Sequence, residues 1–227
     1  METFNGMTRI ECVLLDWHET LSHSLFWEPW HVGTATERQT ATFLQGAMFG
    51  AHRHLLEPWM RGELTSEDVV GHVARSVDVP FAVAMEGFVA SCKAMRLVSD
   101  EVLPLIAELR SHGMLIGIAT DTMDSFTRWT VTSLGLDRHV DAVINSAVIG
   151  TVKRQRRADG SSAFFGDFLR MHEFAPGATV MLDDSEDIAD ILEAAGIMFQ
   201  HITQAHTVVD ALAAIRADAN EQGSILS

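Results

Sequence analysis

A chain of 227 residues, 47% of them apolar and only five proline, is long enough to bury a full interior and has the composition of a globular protein. A formal charge of −15 excludes a general polyanion binder, because phosphate-backbone affinity comes from clustered Lys and Arg. No stretch nears the roughly 18 uninterrupted apolar residues of a membrane span, so neither nucleic acid nor membrane is an expected partner.

The first ten residues lack a basic region followed by an apolar stretch, and nothing there marks export. Cys12 and Cys92 offer neither a disulfide framework nor a metal-type spacing, and they read as reduced thiols of a cytoplasmic protein. Five short apolar runs read as buried parallel strands: residues 10–15, 114–119, 141–145, 178–182 and 197–202. The first is followed by a long excursion, about residues 22–97, with no convincing strand and helix-like stretches at 36–57, 66–77 and 81–96. Thr65-Ser66-Glu67-Asp68 supplies a cap for the second of these. Trp27, Trp30 and Trp59 lie within the excursion and read as its core, with some of them available to line a substrate pocket.

Beyond it, residues 102–112 place Val102, Leu105, Ile106 and Leu109 on one helical face, and Pro104 fits only in the first turn. Residues 123–134 and 185–195 are helix-like and end at Gly135 and Gly196, the usual left-handed stops. The basic cluster Lys153-Arg154-Gln155-Arg156-Arg157 reads as a local anion or loop feature, and the tail after Asn220 as disordered. The alternation predicts an α/β fold, a doubly wound parallel five-stranded sheet with an inserted α-helical domain. The core would comprise residues 1–21 and 98–227, and the insertion residues 22–97.

Chemistry-bearing residues fall at or just beyond the C-terminal ends of four expected strands: Asp16, then Thr120-Asp121, then Lys153, then Asp183-Asp184. In a parallel sheet those ends face one crevice. Carboxylates, a hydroxyl and an ammonium gathered there suit holding a divalent cation and a phosphoryl group together.

These segments resemble the four motifs of the haloacid dehalogenase-like hydrolase superfamily. Asp16-Trp17-His18-Glu19-Thr20 is similar to its Asp-x-Asp-x-Thr/Val, and Ile116-Gly117-Ile118-Ala119-Thr120 to its strand ending in Ser or Thr. Gly150-Thr151-Val152-Lys153 is similar to its lysine motif, and Val180-Met181-Leu182-Asp183-Asp184-Ser185 to its acidic pair. The resemblance covers residues 9–21 and 98–203, and the excursion sits where the family inserts its first type of helical cap.

The resemblance implies that Asp16 is a nucleophile forming an aspartyl phosphate and that Mg2+ is held by Asp16, the His18 backbone carbonyl and Asp184. Thr120 and the Asp121 backbone N–H would bind the phosphoryl group, and Lys153 would bridge it to the nucleophile. Asp183 would be a second metal contact or orient a bound water, with Asp187 a candidate for the outer shell. The substrate would be a small phosphorylated metabolite, and Arg53, Trp59 and Arg61 are the candidate contacts from the cap.

The pattern departs from the family in two places. Phosphatases of the family carry a second aspartate two residues past the nucleophile, as acid and base; here His18 stands there, and imidazole can do both at neutral pH. Glu19 replaces a common glycine. Hydrolysis of a phosphonate or C–halogen bond, or a catalytically weak ligand-binding homologue, are the alternatives. The chain has no tyrosine for dehalogenation, and Lys93 is the one cap lysine for a Schiff base. His18, His23, His31, His52 and His54 lack helix-based metal spacing and read as surface or packing residues.

Overall fold

The computed structural model describes residues 9–225. At its centre a five-stranded parallel sheet is ordered β3-β2-β1-β4-β5, formed by β1 (Cys12–Leu15), β2 (Leu115–Thr120), β3 (Ala142–Asn145), β4 (Thr179–Asp183) and β5 (Ile197–His201). Strands β2 to β5 match their expected runs to within one residue at each end, and β1 begins two residues inside its run. All four residues of β1 are buried because both faces of the sheet are covered. Val13 and Leu15 join Ile116, Ile118, Val180 and Leu182 in one apolar cluster, and Cys12 and Leu14 join Ala119, Ile144 and Met181 in the other. That is the period-two alternation of a strand.

The excursion after β1 forms a 3-10 turn (Glu28–Val32) and the helices α1 (Ala35–Gly46), α2 (Leu56–Met60), α3 (Ser66–Ser76) and α4 (Phe81–Lys93). Thr34 and Thr65 begin α1 and α3 with reciprocal capping boxes to Glu37 and Asp68. The expected helix over 36–57 is broken. After Gly46 come a π-type turn at Ala47–Ala51 and a 3-10 turn at Arg53–Leu55. Two glycines, Gly46 and Gly50, weaken a continuous helix here, and the bend buries Met48.

The insertion is held by aromatic packing. Phe26, Trp27, Trp59 and Phe88 meet with ring centroids 4.7–6.4 Å apart, and Trp27 Nε1 donates to Ala84 O at 2.8 Å. Gly87 lets Trp30 lie on α4, since a Cβ there would sit 2.1 Å from the indole ring. The two ends of the excursion are tied by Val98 N donating to Leu21 O at 2.9 Å. Its interior is continuous with one face of the sheet through Trp17, Met123 and Phe126.

The remaining helices are α5 (Val102–Ser111), α6 (Val131–Leu134), α7 (Ser146–Ile149), α8 (Gly166–His172), α9 (Ala189–Ala194) and α10 (Val208–Ile225). Helix α5 buries Val102, Leu105, Ile106 and Leu109, with Pro104 in its first turn as required. The stretch expected as one helix over 123–134 opens with a π-type turn at Phe126–Thr130, and Gly135 ends α6 in the left-handed region (φ 65). Helix α10 runs on to Ile225, which corrects the expectation of disorder after Asn220; no proline interrupts it. Residues 1–8 and 226–227, to which the export and tail expectations also refer, lie outside the described residues. Among the described residues no helix is long and apolar enough to cross a membrane.

Candidate active site

The strand order places β1 between β2 and β4, so the chain winds away from β1 in both directions and leaves a crevice beyond the strand ends. Leu15 pairs with Ile118 and Leu182, and Asp16 N donates to Leu182 O at 2.9 Å. Register therefore brings Asp16 beside Asp183, residues 167 positions apart in the sequence.

Lys153 arrives from the loop after α7, which Gly150 ends at φ 72. Its backbone N donates to both Asp121 oxygens, at 2.9 and 3.2 Å, while buried Val152 anchors the loop. Its Nζ donates to Asp16 Oδ1 and Asp183 Oδ2, each at 2.5 Å. All three side chains are buried, with Lys153 4% exposed. Asp183 Oδ1 accepts from Ser185 N at 2.9 Å, so both of its oxygens are engaged.

Four carboxylates, of Asp16, Asp121, Asp183 and Asp184, thus surround one ammonium, and the imbalance shows in their acidities. Burial pushes the Asp121 carboxyl up to about 6, against the pull of Lys153. Burial also raises Asp183, with Asp16 adding to it, and raises Asp184, with Asp183 adding to it. Burial alone would depress the Lys153 ammonium, but Asp16, Asp183 and Asp121 together hold it above the ordinary lysine range.

Such a site has room for more positive charge. Asp16, Asp183 and Asp184 each present a carboxylate oxygen within 4.8 Å of the others. This hard, all-oxygen donor set, with like charges in excess, fits a small divalent cation such as Mg2+. Asp187 is exposed. Thr120 Oγ1, wholly buried at the end of β2, has no hydrogen-bond partner among the described residues, which is the condition of a hydroxyl set aside for a ligand. Thr20 Oγ1 is orphaned in the same way, and Thr20 lines a second cavity together with Asp184 and His201.

His18 is different in kind: its side chain is 56% exposed and it is 3.7 Å from Glu19 Oε1. The backbone of Glu19 is left-handed (φ 58), which explains why glycine would suit this position. The Glu19 carboxylate meets His23 Nδ1 at 3.1 Å.

His18 and Asp121 also line a cavity of about 350 Å³ between the insertion and the core, walled by Trp17, Phe26, Phe49, Met60, Met123 and Phe126. Arg53 lines this cavity, whereas Trp59 and Arg61 are not among its lining residues. Trp59 is fully buried in the aromatic cluster, and its Nε1 donates to Asp124 at 2.7 Å. Arg61 reaches Glu57 at 3.0 Å and Gln155 at 2.9 Å. The basic cluster is also spent locally, with Arg154 on Glu57 and Arg157 on Asp167 at 2.7 Å. Lys93 lies in the last turn of α4, exposed. Both thiols are buried and pushed up to about 12 by that burial.

Sequence reasoning missed Asp124, the residue that joins insertion to core. Besides Trp59 it takes Ser66 Oγ at 2.7 Å and Arg128 at 2.7 Å, and Arg128 also holds Glu67. The Asp124/Arg128 spacing of four residues was the available signal.

No family model matches this sequence, and no curated protein matches it. Solved structures do match the fold. A HAD family enzyme from Bacteroides thetaiotaomicron superposes with a TM-score of 0.65 at 15% identity, over 86% of this chain and 95% of that one. Its complex with magnesium and inorganic phosphate gives 0.62 at 15% identity, over 86% and 94%. L-2-haloacid dehalogenase from Xanthobacter autotrophicus, with chloropropionic acid covalently bound, gives 0.58 at 14% identity, over 87% and 80%.

Proposed function

We propose that this chain, which has the fold of the haloacid dehalogenase-like hydrolases, is a Mg2+-dependent phosphatase of a small phosphorylated molecule, with Asp16 as the nucleophile. The observation that carries this reading is the buried Asp16–Lys153–Asp183 arrangement beside an unpartnered Thr120 hydroxyl. Asp16 keeps one oxygen on Lys153 and has the other to attack phosphorus. The Lys153 ammonium offsets the charge of the nucleophile as the phosphoryl dianion approaches. Thr120 Oγ1 donates to a phosphoryl oxygen.

Asp16, Asp184 and the His18 carbonyl are the groups for Mg2+, which supplies charge neutralisation when bound; Asp183 chiefly fixes Lys153. The P–O bond to the substrate breaks as the bond to Asp16 forms, and the His18 imidazolium gives its proton to the departing alkoxide. Neutral His18 then takes a proton from the water that opens the aspartyl phosphate, returning Asp16 and releasing inorganic phosphate. A partly solvent-open imidazole that lines the cavity is accessible to both the leaving group and the attacking water.

A second reading, C–halogen hydrolysis launched by Asp16, is favoured by the apolar cavity and by the lack of a second carboxylate at residue 18, because a halide departs without a proton. Phosphate release from phosphomonoesters, measured with and without Mg2+, and chloride release from 2-chloropropionate separate the two. Asp16→Asn is expected to lower phosphate release at least about 10³-fold. Undiminished release in that variant sinks the hydrolase reading.

A further inference from the structure

The cavity over His18 and Asp121 carries information about the organic part of the ligand. Its walls are mostly aromatic rings, leucines and thioethers, with His18 and Asp121 at its polar end, and each of its hydroxyl groups already has a protein contact. Thr130 Oγ1 donates to Cys92 O at 2.9 Å, Ser24 Oγ accepts from Arg96 N at 3.1 Å, Thr122 Oγ1 turns to Met123 Sδ at 3.8 Å, and Ser125 is hydrogen-bonded to Cys92. A sugar or polyol entering here would lose water from each hydroxyl and meet a mostly apolar wall, with His18, Asp121 and Arg53 as the principal polar side chains to replace that water. An apolar group would lose nothing comparable and gain close packing.

Arg53 is the guanidinium among the lining groups, besides the His18 imidazole and the Asp121 carboxylate. Among the described residues it is the one arginine lining this cavity and, itself exposed, has no hydrogen-bond or carboxylate partner, whereas Arg61, Arg96, Arg128 and Arg154 are each paired with an acid. In a chain with 31 acids against 16 lysines and arginines, an unpaired guanidinium at an apolar cavity is a notable placement. It is distinct from the phosphoryl-binding groups, because Thr120 and Lys153 belong to the core and neither is among the residues lining this cavity. The volume, about 350 Å³, equals about a dozen waters and suits a compact organic group such as a substituted ring or a branched chain.

We propose that the substrate's organic part is a compact aromatic or branched aliphatic group bearing an anionic substituent, held by the apolar walls and by Arg53. This rests on the phosphatase reading of the neighbouring site. Hydrolysis would release the corresponding alcohol, with its proton taken from His18, together with inorganic phosphate.

Benzyl phosphate, 4-carboxybenzyl phosphate and glucose 6-phosphate all release primary alcohols, so their leaving groups are matched, and their kcat/KM values with Mg2+ report the pocket. The expected order is 4-carboxybenzyl above benzyl by about tenfold, and benzyl above glucose 6-phosphate by at least about tenfold. In Arg53→Gln the first ratio should fall to about one, mainly through KM. Glucose 6-phosphate equal to or better than benzyl phosphate overturns the apolar assignment. Arg53→Gln lowering both benzyl esters alike overturns the role given to Arg53.

Binding decides the same question without turnover. 4-Carboxybenzylphosphonate, benzylphosphonate and glucose 6-phosphonate, titrated by calorimetry into wild type and Arg53→Gln, should bind in the same order. A reversed order refutes the proposal even in an inactive protein. Absence of phosphate release from every ester, with this order of binding kept, refutes the phosphatase reading and leaves the pocket assignment standing.

Discussion

The crevice at the strand ends and the seam between insertion and core are both rich in charge, yet their carboxylates are in opposite states. In the crevice Asp121, Asp183 and Asp184 are pushed upward, because burial and like charges outweigh a single lysine. At the seam Glu67 is pulled below its ordinary range by its hydrogen bonds to Arg128, and Asp124 is lowered because Ser66, Arg128 and Trp59 outweigh its burial. The seam is electrostatically complete and holds structure. The crevice is incomplete on its own, and that is the condition of a site awaiting a cation and an anion together.

Replacing Lys153 with Met should give the largest effect, because it strips the crevice of the ammonium that pairs with Asp16 and Asp183. Turnover should fall by about 10³-fold or more, and the metal-free protein should lose about 3–5 kcal/mol in denaturant melts, since Asp16 and Asp183 would be left buried and unpaired. Part of that stability should return with Mg2+. A variant as stable and active as wild type would erase the contrast between the two regions.

Asp124→Ala breaks the seam instead. It leaves the Trp59 indole N–H and the Ser66 hydroxyl without their acceptor and should cost about 1–3 kcal/mol, seen as a lower denaturation midpoint with or without Mg2+. Equal losses of activity and stability in the two variants would mean that the regions are not separable.

The smallest effect expected is the dependence on pH. Asp121 has its folded-state pKa raised to about 6, so its contribution is fully present below the unfolded value near 3.8 and is lost as pH rises through about 6; Asp183 and Asp184 act in the same direction. The seam carboxylates Glu67 and Asp124, with lowered values, contribute above their unfolded values of 4.5 and 3.8 and lose that contribution on further acidification. Stabilisation by Mg2+ should therefore grow by about 1 kcal/mol between pH 5 and pH 7.5. Thermal melts at the two pH values measure it, and a gain independent of pH would uncouple the cation from these carboxylates.

The same contrast explains what the sequence made legible. Strands buried on both faces are short apolar runs, and the residues at their ends face the crevice, so Asp16, Thr120 and Asp183 were legible from the strands, while Lys153 was legible through the likeness of Gly150-Thr151-Val152-Lys153 to a known lysine motif. Parallel register brings Asp16, Thr120 and Asp183 together, and the loop after α7, anchored on Asp121, adds Lys153. The insertion has no comparable rule. Its helices were visible by periodicity, but the break after Gly46 depends on Met48 turning into a core shared with the sheet, a tertiary effect. For that reason Arg53 could be proposed together with Trp59 and Arg61, while only the fold separates an arginine at the cavity from a tryptophan sealed behind Asp124.

The central claim is that Asp16 accepts the phosphoryl group while Lys153 holds it in place. Acid quench during turnover of a phosphomonoester with Mg2+, followed by peptide mass analysis, tests it most directly. The expected result is one added phosphoryl mass on the peptide containing Asp16, lost on incubation at neutral pH and missing in Asp16→Asn. Phosphate release with no phosphorylated Asp16 at any quench time, and retained in Asp16→Asn, would contradict it.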